Sequence, residues 1–163
     1  MPLSRDTATL QYYLTLAEPH LFEIPGSNVS AALDLARKTL FAQSTDQQAA
    51  VLLLTDGDSS ALSAAMLTSA DTAAVNLQQA KLPLYVLGIG TPDGATIPVA
   101  DGGTVTNDGK TVTSQLDASY LTRLARLGGG EYANIQDGGS DWDALYDGGI
   151  LTLPSNPHAA EPA

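Results

Sequence analysis

A run of four apolar residues that leads directly into Thr-Asp-Gly-Asp constrains this chain more than any other stretch. The run extends from Val51 to Leu54, and Asp56 and Asp58 flank Gly57 just after it. A short, continuous apolar run is typical of a strand that is buried on both faces of a parallel sheet. Ligands of open α/β sheets bind outside the carboxyl ends of the strands. The stretch therefore predicts a central strand with a candidate cation site at its tip.

Composition narrows the classes of protein to which the chain can belong. With 163 residues, 44% of them hydrophobic, it is long enough for one globular domain with a core. The formal net charge of −11 disfavours nucleic acid and anionic membrane surfaces, because both require clustered Lys and Arg. The absence of cysteine excludes disulfides and thiol catalysis. No apolar run reaches the ~18 residues of a membrane span, so we expect a soluble chain without a membrane segment.

Hydrophobic periodicity predicts helices and strands that alternate along the chain. Strand, helix and strand with apolar strands form a βαβ unit, which implies parallel strands and a right-handed crossover. The segment 59–69 is small and polar, and we interpret it as a surface loop. The predicted elements are helices over 4–17, 29–41, 71–79, 117–127 and 141–146, strands over 50–55, 84–90 and 132–135, and a β-hairpin over 104–113.

Capping residues and composition set the predicted boundaries. Asp6, Asp71 and Asp117 each precede an apolar-periodic segment and are predicted N-caps. In the last helix, Trp142 and Leu145 are predicted to share one side. We predict a single domain over residues 1–150, followed by a disordered tail over 151–163 that is rich in Pro, Ser and Ala.

The motif Asp56-Gly57-Asp58 supports two interpretations. Hard cations such as Mg²⁺ take oxygen ligands, usually one or two carboxylates plus waters, and two Asp residues past a strand end can supply them. Asp and Gly are equally common in turns that leave a strand. The motif alone therefore leaves a metal site and a plain turn both open.

Several motifs in a fixed order resemble a von Willebrand factor type A (VWA) domain, and the nearest similarity is to the bacterial aerotolerance (Bat) group. The similarity covers roughly residues 2–150. The matching pieces are Pro25-Gly26-Ser27-Asn28 before a helix, Leu53-Leu54-Thr55-Asp56-Gly57, Thr91-Pro92-Asp93-Gly94 after the next strand, and Gly128-Gly129-Gly130-Glu131-Tyr132.

The resemblance implies an α/β fold with three layers, in which helices cover both faces of a mostly parallel sheet (VWA/Rossmann-like). It also implies a site for Mg²⁺ or Mn²⁺ whose open position accepts a carboxylate from a protein partner. In this sequence, Ser27 and Asp56 match two of the three loops that build that site, while Asp58 is an additional acidic neighbour. The implied function is metal-assisted protein–protein interaction without catalysis.

The sequence departs from the family pattern before Ser27, where no Asp-x-Ser-x-Ser motif occurs. We therefore expect the first strands of the family fold to be missing, which would leave an N-terminally truncated domain with an incomplete cation site. Such a loss would expose the edge of the strand over 50–55, which is an aggregation hazard. Full-length relatives are often anchored in the bacterial inner membrane, but the location of this chain stays open.

Two alternatives to a binding module remain. Asp56-Gly57-Asp58 after an apolar strand is superficially similar to haloacid-dehalogenase phosphatases, in which the first Asp is the nucleophile and the second the acid/base. Such enzymes also require a downstream Lys, and Lys110 lies in the predicted hairpin turn. The second alternative is a fragment without function that binds no metal.

Overall fold

The computed structural model describes residues 6–16, 28–42, 49–60, 62–99, 102–107 and 109–154. Ser27 and the segment from residue 155 onward lie outside the described residues. The helices are α1 (Thr7–Thr15), α2 (Val29–Ala42), α3 (Ala64–Gln79), α4 (Ala118–Leu127) and α5 (Ser140–Trp142). The strands are β1 (Val51–Thr55), β2 (Leu84–Gly88), β3 (Ala95–Thr96), β4 (Thr106–Asn107), β5 (Lys110–Thr111), β6 (Thr113–Ser114) and β7 (Gly129–Asn134).

The main sheet has the order β1-β2-β7, and both pairings are parallel. β1 and β2 pair in an unbroken register from Val51 opposite Leu84 to Thr55 opposite Gly88. The pairing of β2 with β7 has an irregularity near its start. The predicted βαβ unit is thus confirmed, with α3 connecting β1 to β2.

One face of the sheet is covered by α3 and α4, and α2 packs against α3. α3 presents small residues, and Ala74 and Leu77 are fully buried there. α4 buries Leu121 and Leu124 over β2 and β7. Because alanines cover much of this contact, the helices can approach one another closely with few aromatic side chains in the core.

The other face is covered by the segment after β7. α5 continues into a π-helical segment, Asp143–Asp147, and a 3₁₀ turn, Ile150–Thr152, follows. Leu145 from the π-helical segment is buried against Tyr85 and Leu87 of β2. The sheet therefore lies between helical layers, which confirms the predicted α/β fold with three layers and helices on both faces.

The polar excursion after β2 forms small antiparallel pairs at the edge of the domain. β3 pairs with β6, and β4 pairs with β5. In the second pair Thr106 lies opposite Thr111, and Gly109 in the turn has φ +76°. The pairing of β4 with β5 confirms the predicted hairpin. An Asp-Gly dipeptide readily supplies the positive φ that its turn needs.

The N-terminal half of α3 contradicts the sequence prediction. Residues from Ala64 onward are helical, and the N-cap is Ser63, whose hydroxyl accepts the N–H of Met66 at 3.2 Å. Asp71 is therefore a mid-helix residue and not the predicted cap. It forms an ion pair with Arg123 of α4 at 3.4 Å, so it ties α3 to α4.

Smaller differences concern the two ends of the chain. Asp6 caps α1 as predicted, since it accepts the N–H groups of Ala8 and Thr9 at 3.1 Å, but no residue of α1 is buried. Trp142 is 46% exposed whereas Leu145 is buried, so they do not share a side as predicted. None of the described helices combines the length and apolar character that crossing a membrane requires.

Candidate cation site

The tip of β1 is a tight turn that is held from both sides. The Thr55 hydroxyl accepts the N–H of Gly57 at 3.1 Å, and the Thr55 carbonyl accepts the N–H of Ile89 at 2.8 Å. Gly57 is buried with φ +62°, and a Cβ there would lie 2.5 Å from Leu121 Cδ1. Glycine is needed because both its backbone conformation and the available space exclude a side chain. The Thr-Asp-Gly sequence therefore fixes the direction in which Asp56 leaves the sheet.

Asp56 projects from this turn toward solvent. Its side chain is exposed, and it accepts no hydrogen bond from the residues that the structure describes. Its backbone carbonyl lies near Gly90, at the carboxyl end of β2. Asp56, the predicted metal ligand, therefore lies at the carboxyl edge of the sheet, and its carboxylate is accessible to a cation.

Asp58, two residues on, is committed to the loop instead. Its Oδ1 accepts the N–H and the hydroxyl of Ser60 at 2.9 and 2.5 Å, and its Oδ2 accepts the N–H of Gln115 at 3.4 Å. The hydrogen bond from the Ser60 hydroxyl is the main reason why the pKa of Asp58 lies below its ordinary value. Asp58 therefore connects the loop after β1 to the segment before α4.

A second structural carboxylate lies beside this loop. Asp117 caps α4: its Oδ1 accepts the N–H of Tyr120 at 2.9 Å and the hydroxyl of Ser119 at 2.6 Å. Its Oδ2 accepts the hydroxyl of Ser59 at 2.5 Å, although 58 residues separate the two in sequence. Hydrogen bonds from Ser119 and then Ser59 lower the pKa of Asp117 to about 2. Asp117 is thus charged across the ordinary pH range.

A polar cavity of about 310 Å³ lies between the loop after β1 and the start of α4. Both structural carboxylates contribute to its wall, and Asp56 does not. Both oxygens of Asp58 and of Asp117 already accept hydrogen bonds from serine hydroxyls or backbone N–H groups. The hydrogen bonds of the residues that line the cavity therefore stabilise the loop after β1, and Asp56 does not line the cavity.

The donor set of the described residues is only a partial fit to a divalent cation. In the ranges that the structure describes, no group of three or more His, Asp or Glu side chains could hold a metal ion. Asp56 supplies one carboxylate, and a cation such as Mg²⁺ can be held by one or two carboxylates with water completing its octahedron. Ser27, the other predicted ligand, lies outside the described residues, so its position relative to Asp56 stays a prediction.

The sequence does not predict the contact between Ser59 and Asp117. Asp117 was predicted as a cap from its position before an apolar segment, but Ser59 was assigned only to a surface loop. A hydrogen bond across so many residues leaves no local pattern. The only available signal was topological, because β1 and α4 had to meet at the carboxyl edge of a parallel sheet.

Comparison with known proteins found similarity to solved structures. No protein-family model matches the chain, and no curated protein matches it. The fold is similar to the conserved hypothetical protein BatB from Bacteroides thetaiotaomicron, with a TM-score of 0.76 and 24% identity over 93% of this chain and 71% of that one. It is also similar to an aerotolerance-related membrane protein from Bacteroides fragilis, with a TM-score of 0.81 and 24% identity over 94% of this chain and 73% of that one.

These likenesses show that the chain shares its fold with Bat-type proteins. The predicted similarity to the aerotolerance group is supported at the level of structure, since almost all of this chain superposes on both neighbours. One of those neighbours is a membrane protein. At this level of identity the shared property is the fold, and activity does not follow from it.

Proposed function

We propose that this chain is a VWA-type module that binds a protein partner through a partial site for Mg²⁺ or Mn²⁺. Asp56 would hold the cation directly or through water, and Ser27 would contribute a hydroxyl oxygen. A bound divalent cation would supply a Lewis-acidic position for a carboxylate of the partner. In this proposal the chain binds and does not catalyse.

The proposal rests on a difference in hydrogen bonding between Asp56 and the neighbouring carboxylates of Asp58 and Asp117. Asp58 and Asp117 each accept hydrogen bonds on both carboxylate oxygens, whereas Asp56 is exposed and accepts none in the described part of the chain. A carboxylate that serves only a turn would be expected to bond nearby backbone N–H groups, as Asp58 does. Asp56 is instead presented by a turn that the Thr55 hydroxyl and Gly57 already stabilise.

The same contrast weighs against the phosphatase alternative. That mechanism needs the second Asp to exchange a proton during the reaction, so its pKa should lie near the working pH. The pKa of Asp58 is instead lowered by the Ser60 hydroxyl, and both of its oxygens are engaged. Lys110, in addition, lies in β5 of the hairpin, away from the main sheet. These features favour binding over turnover.

The test is titration calorimetry of the whole chain with Mn²⁺ and with Mg²⁺. We expect weak binding, with a Kd on the order of a millimolar, because few protein ligands are present. Asp56→Asn should weaken it by more than about tenfold, since the ligand charge is lost. Asp147→Asn is the matched control, because it removes the same charge from an exposed position far along the chain.

Partner binding is tested with a Glu-containing peptide and its Gln counterpart. The proposal expects the Glu peptide alone to bind, and only when Mn²⁺ is present. Absence of heat with either cation, together with identical behaviour of Asp56→Asn, would support a fragment without metal. Hydrolysis of p-nitrophenyl phosphate that is abolished by Asp56→Asn would overturn the binding module in favour of a phosphatase.

A further inference from the structure

The segment after β7 exposes two aromatic side chains that do not contribute to the core. Trp142 and Tyr146 are 46% and 44% exposed, and their ring centroids lie 6.2 Å apart in an edge-to-face arrangement. Leu145, which lies between them in sequence, is buried against the sheet instead. Large aromatic side chains are enriched at binding surfaces, where they supply rigid contact area. The two rings are therefore a candidate interaction surface.

The π-helical turn arranges the side chains of this segment in columns. The Gly148 N–H donates to the Asp143 carbonyl at 2.8 Å, five residues earlier, so side chains four residues apart lie nearly in line. Trp142 and Tyr146 are four residues apart and form one exposed column. The buried residues of the segment recur with the same spacing: Asp141, Leu145 and Gly149.

Each exposed ring is followed in sequence by an aspartate. Asp143 follows Trp142 and Asp147 follows Tyr146, so an aromatic–Asp pair occurs twice with a spacing of four residues. Both aspartates are exposed, and neither forms an ion pair within the ranges that the structure describes. The two rings and the two carboxylates thus form adjacent columns, and we call these four residues the aromatic–acidic face.

The chain around the aromatic–acidic face carries negative charge only. From residue 127 to residue 154 there are five carboxylates and no Lys or Arg. One of the five, Asp141, is 5% exposed, and its Oδ1 accepts no hydrogen bond from the described residues. A buried carboxylate oxygen without a donor is costly, and a cation nearby would stabilise it. The charge of this segment is therefore complementary to a basic ligand.

We propose that the aromatic–acidic face binds an extended, arginine-containing segment of a partner protein. A guanidinium stacks on aromatic rings and donates hydrogen bonds to carboxylates, so each aromatic–Asp pair offers both contacts that arginine makes best. In the described part of the chain, Arg37 and Arg123 lie over other rings, and no cation lies over Trp142 or Tyr146. Both rings are thus accessible to the guanidinium groups of a partner.

The distance between the two rings sets the spacing of the arginines. In an extended chain, alternate residues point to the same side, and they lie about 6.6 Å apart. That spacing is close to the 6.2 Å between the ring centroids. Two adjacent arginines point to opposite sides of an extended chain, so only one of them faces the rings. The expected sequence of the bound segment is therefore Arg-x-Arg.

The carboxylates distinguish this surface from another exposed pair of rings. Tyr12 and Tyr13 of α1 have centroids 6.1 Å apart, but residues 7–17 contain no Asp or Glu. A neutral sugar would stack on either pair, whereas an arginine segment gains from carboxylates only at the aromatic–acidic face. The face contains neither Ser27 nor Asp56. Its binding therefore requires no divalent cation and does not depend on the proposed metal site.

Trp142 is the only tryptophan of the chain, so its fluorescence reports directly on the aromatic–acidic face. The whole chain is titrated in EDTA with the peptide Gly-Ser-Arg-Ser-Arg-Ser-Gly. Two further peptides serve as comparisons: an isomer with adjacent arginines, and a version with Glu in place of both arginines. We expect the Arg-Ser-Arg peptide to change the emission with a Kd on the order of a millimolar.

The comparison peptides and salt test the chemistry of the contact. The isomer with adjacent arginines should bind about threefold more weakly, because it loses one of the two ring contacts. The Glu peptide should not bind, since like charges repel. Added salt should weaken the binding of the Arg-Ser-Arg peptide, because the carboxylates of the face are exposed and are screened.

Variants are compared by NMR titration of backbone amides, which does not require the tryptophan signal. Trp142→Ala and Asp143→Asn should each raise the Kd by about three- to tenfold. Tyr12→Ala is the matched control for the ring, and Asp93→Asn removes the same charge from an exposed loop position. Both controls should leave the Kd within about twofold of wild type. Cooperative urea unfolding of each variant shows that a change in Kd is not a loss of fold.

Four results would overturn the inference. The first is no response at a peptide concentration of about 10 mM. The second is equal binding of the arginine and glutamate peptides. The third is a Kd that neither Trp142→Ala nor Asp143→Asn changes. The fourth is binding of neutral cellohexaose at the same amides without dependence on salt, which would assign the face to sugars. Equal affinity for the isomer with adjacent arginines would refute the Arg-x-Arg spacing.

Discussion

Replacing Asp117 tests the support of the candidate site most directly, because this carboxylate joins α4 to the loop after β1. Asp117→Asn keeps an oxygen that can cap α4 but removes the charge that the hydroxyls of Ser59 and Ser119 solvate. Asp117→Ala removes the cap as well. The stability difference between the two variants therefore separates the contribution of the charge from that of the cap.

The expected magnitude follows from the pKa of Asp117. A carboxyl whose pKa falls from 3.8 to about 2 on folding contributes at most about 2.5 kcal/mol to the free energy of unfolding at neutral pH. Because the residue is partly exposed, solvent screening reduces this to about 1–2 kcal/mol for Asp117→Asn. Loss of the cap adds about 1 kcal/mol in Asp117→Ala.

The sign of the pH dependence is fixed by the direction of the shift. The folded state has the lower pKa, so the stabilisation is fully present above pH 3.8 and is lost as the pH falls toward about 2. The difference between wild type and Asp117→Asn should therefore be constant from about pH 7 to about pH 5 and should shrink below about pH 4.

Urea denaturation at a series of pH values measures this difference. Asp147→Asn is the control, and we expect it to stay within about 0.5 kcal/mol of wild type, because Asp147 is exposed. A stability difference between wild type and Asp117→Asn that persists unchanged into the acid range would refute the reasoning. So would a carboxyl resonance of Asp117 that titrates near pH 4 in the folded protein.

Two further substitutions test local parts of the fold by thermal or urea denaturation. Gly57→Ala should lower the free energy of unfolding by about 2–4 kcal/mol, since it combines a φ of +62° with a Cβ that would meet Leu121. Gly109→Ala, at a similar φ but with open space around it, should lower it by only about 1–2 kcal/mol. Equal losses of stability in the two variants would refute the steric part of this argument. Ser63→Ala should cost about 1 kcal/mol through loss of the α3 cap, and an unchanged midpoint would show that Ser63 does not set the start of the helix.

The sequence was sufficient to predict the helices, strands and turns that are encoded by residues adjacent in the chain. The apolar runs at 51–54 and 84–87 predicted β1 and β2, and the caps Asp6 and Asp117 were confirmed. The Asp-Gly turn before Lys110 predicted its hairpin, since its backbone conformation is encoded by adjacent residues. The α/β architecture then followed from the order of these elements.

The start of α3 could not be predicted, because its sequence carries competing signals. Ser and Thr usually favour loops, since their hydroxyls compete for backbone groups. In α3 the hydroxyls of Thr68, Ser69 and Thr72 instead donate to the carbonyls of residues four positions earlier, at 2.8–2.9 Å. This arrangement lets polar residues remain within the helix, while Ala70 and Ala73 are buried.

The position of Trp142 was mispredicted for a geometric reason. The prediction assumed an α-helix, in which Trp142 and Leu145 are three residues apart and share a face. The chain instead adopts a π-helical turn after Trp142, and the Gly148 N–H reaches the Asp143 carbonyl at 2.8 Å. The wider turn rotates the two side chains apart. Nothing in the sequence marks this change of pitch.

Two glycines at the start of the last strand, Gly128 just before β7 and Gly130 within it, limit how the sequence can change. A Cβ at Gly130 would lie 2.3 Å from the backbone oxygen of Leu84, and a Cβ at Gly128 would lie 2.4 Å from the Leu84 Cβ. The obstacle at 130 is a backbone oxygen, which every residue at position 84 has. The obstacle at 128 is a Cβ, which every residue except glycine has. No replacement at position 84 other than glycine can therefore make room at 128, and none at all can do so at 130. Covariation with position 84 therefore cannot relieve the clash at 130, and at 128 it can do so only through glycine at 84, so we expect sequences that keep this fold to retain Gly130.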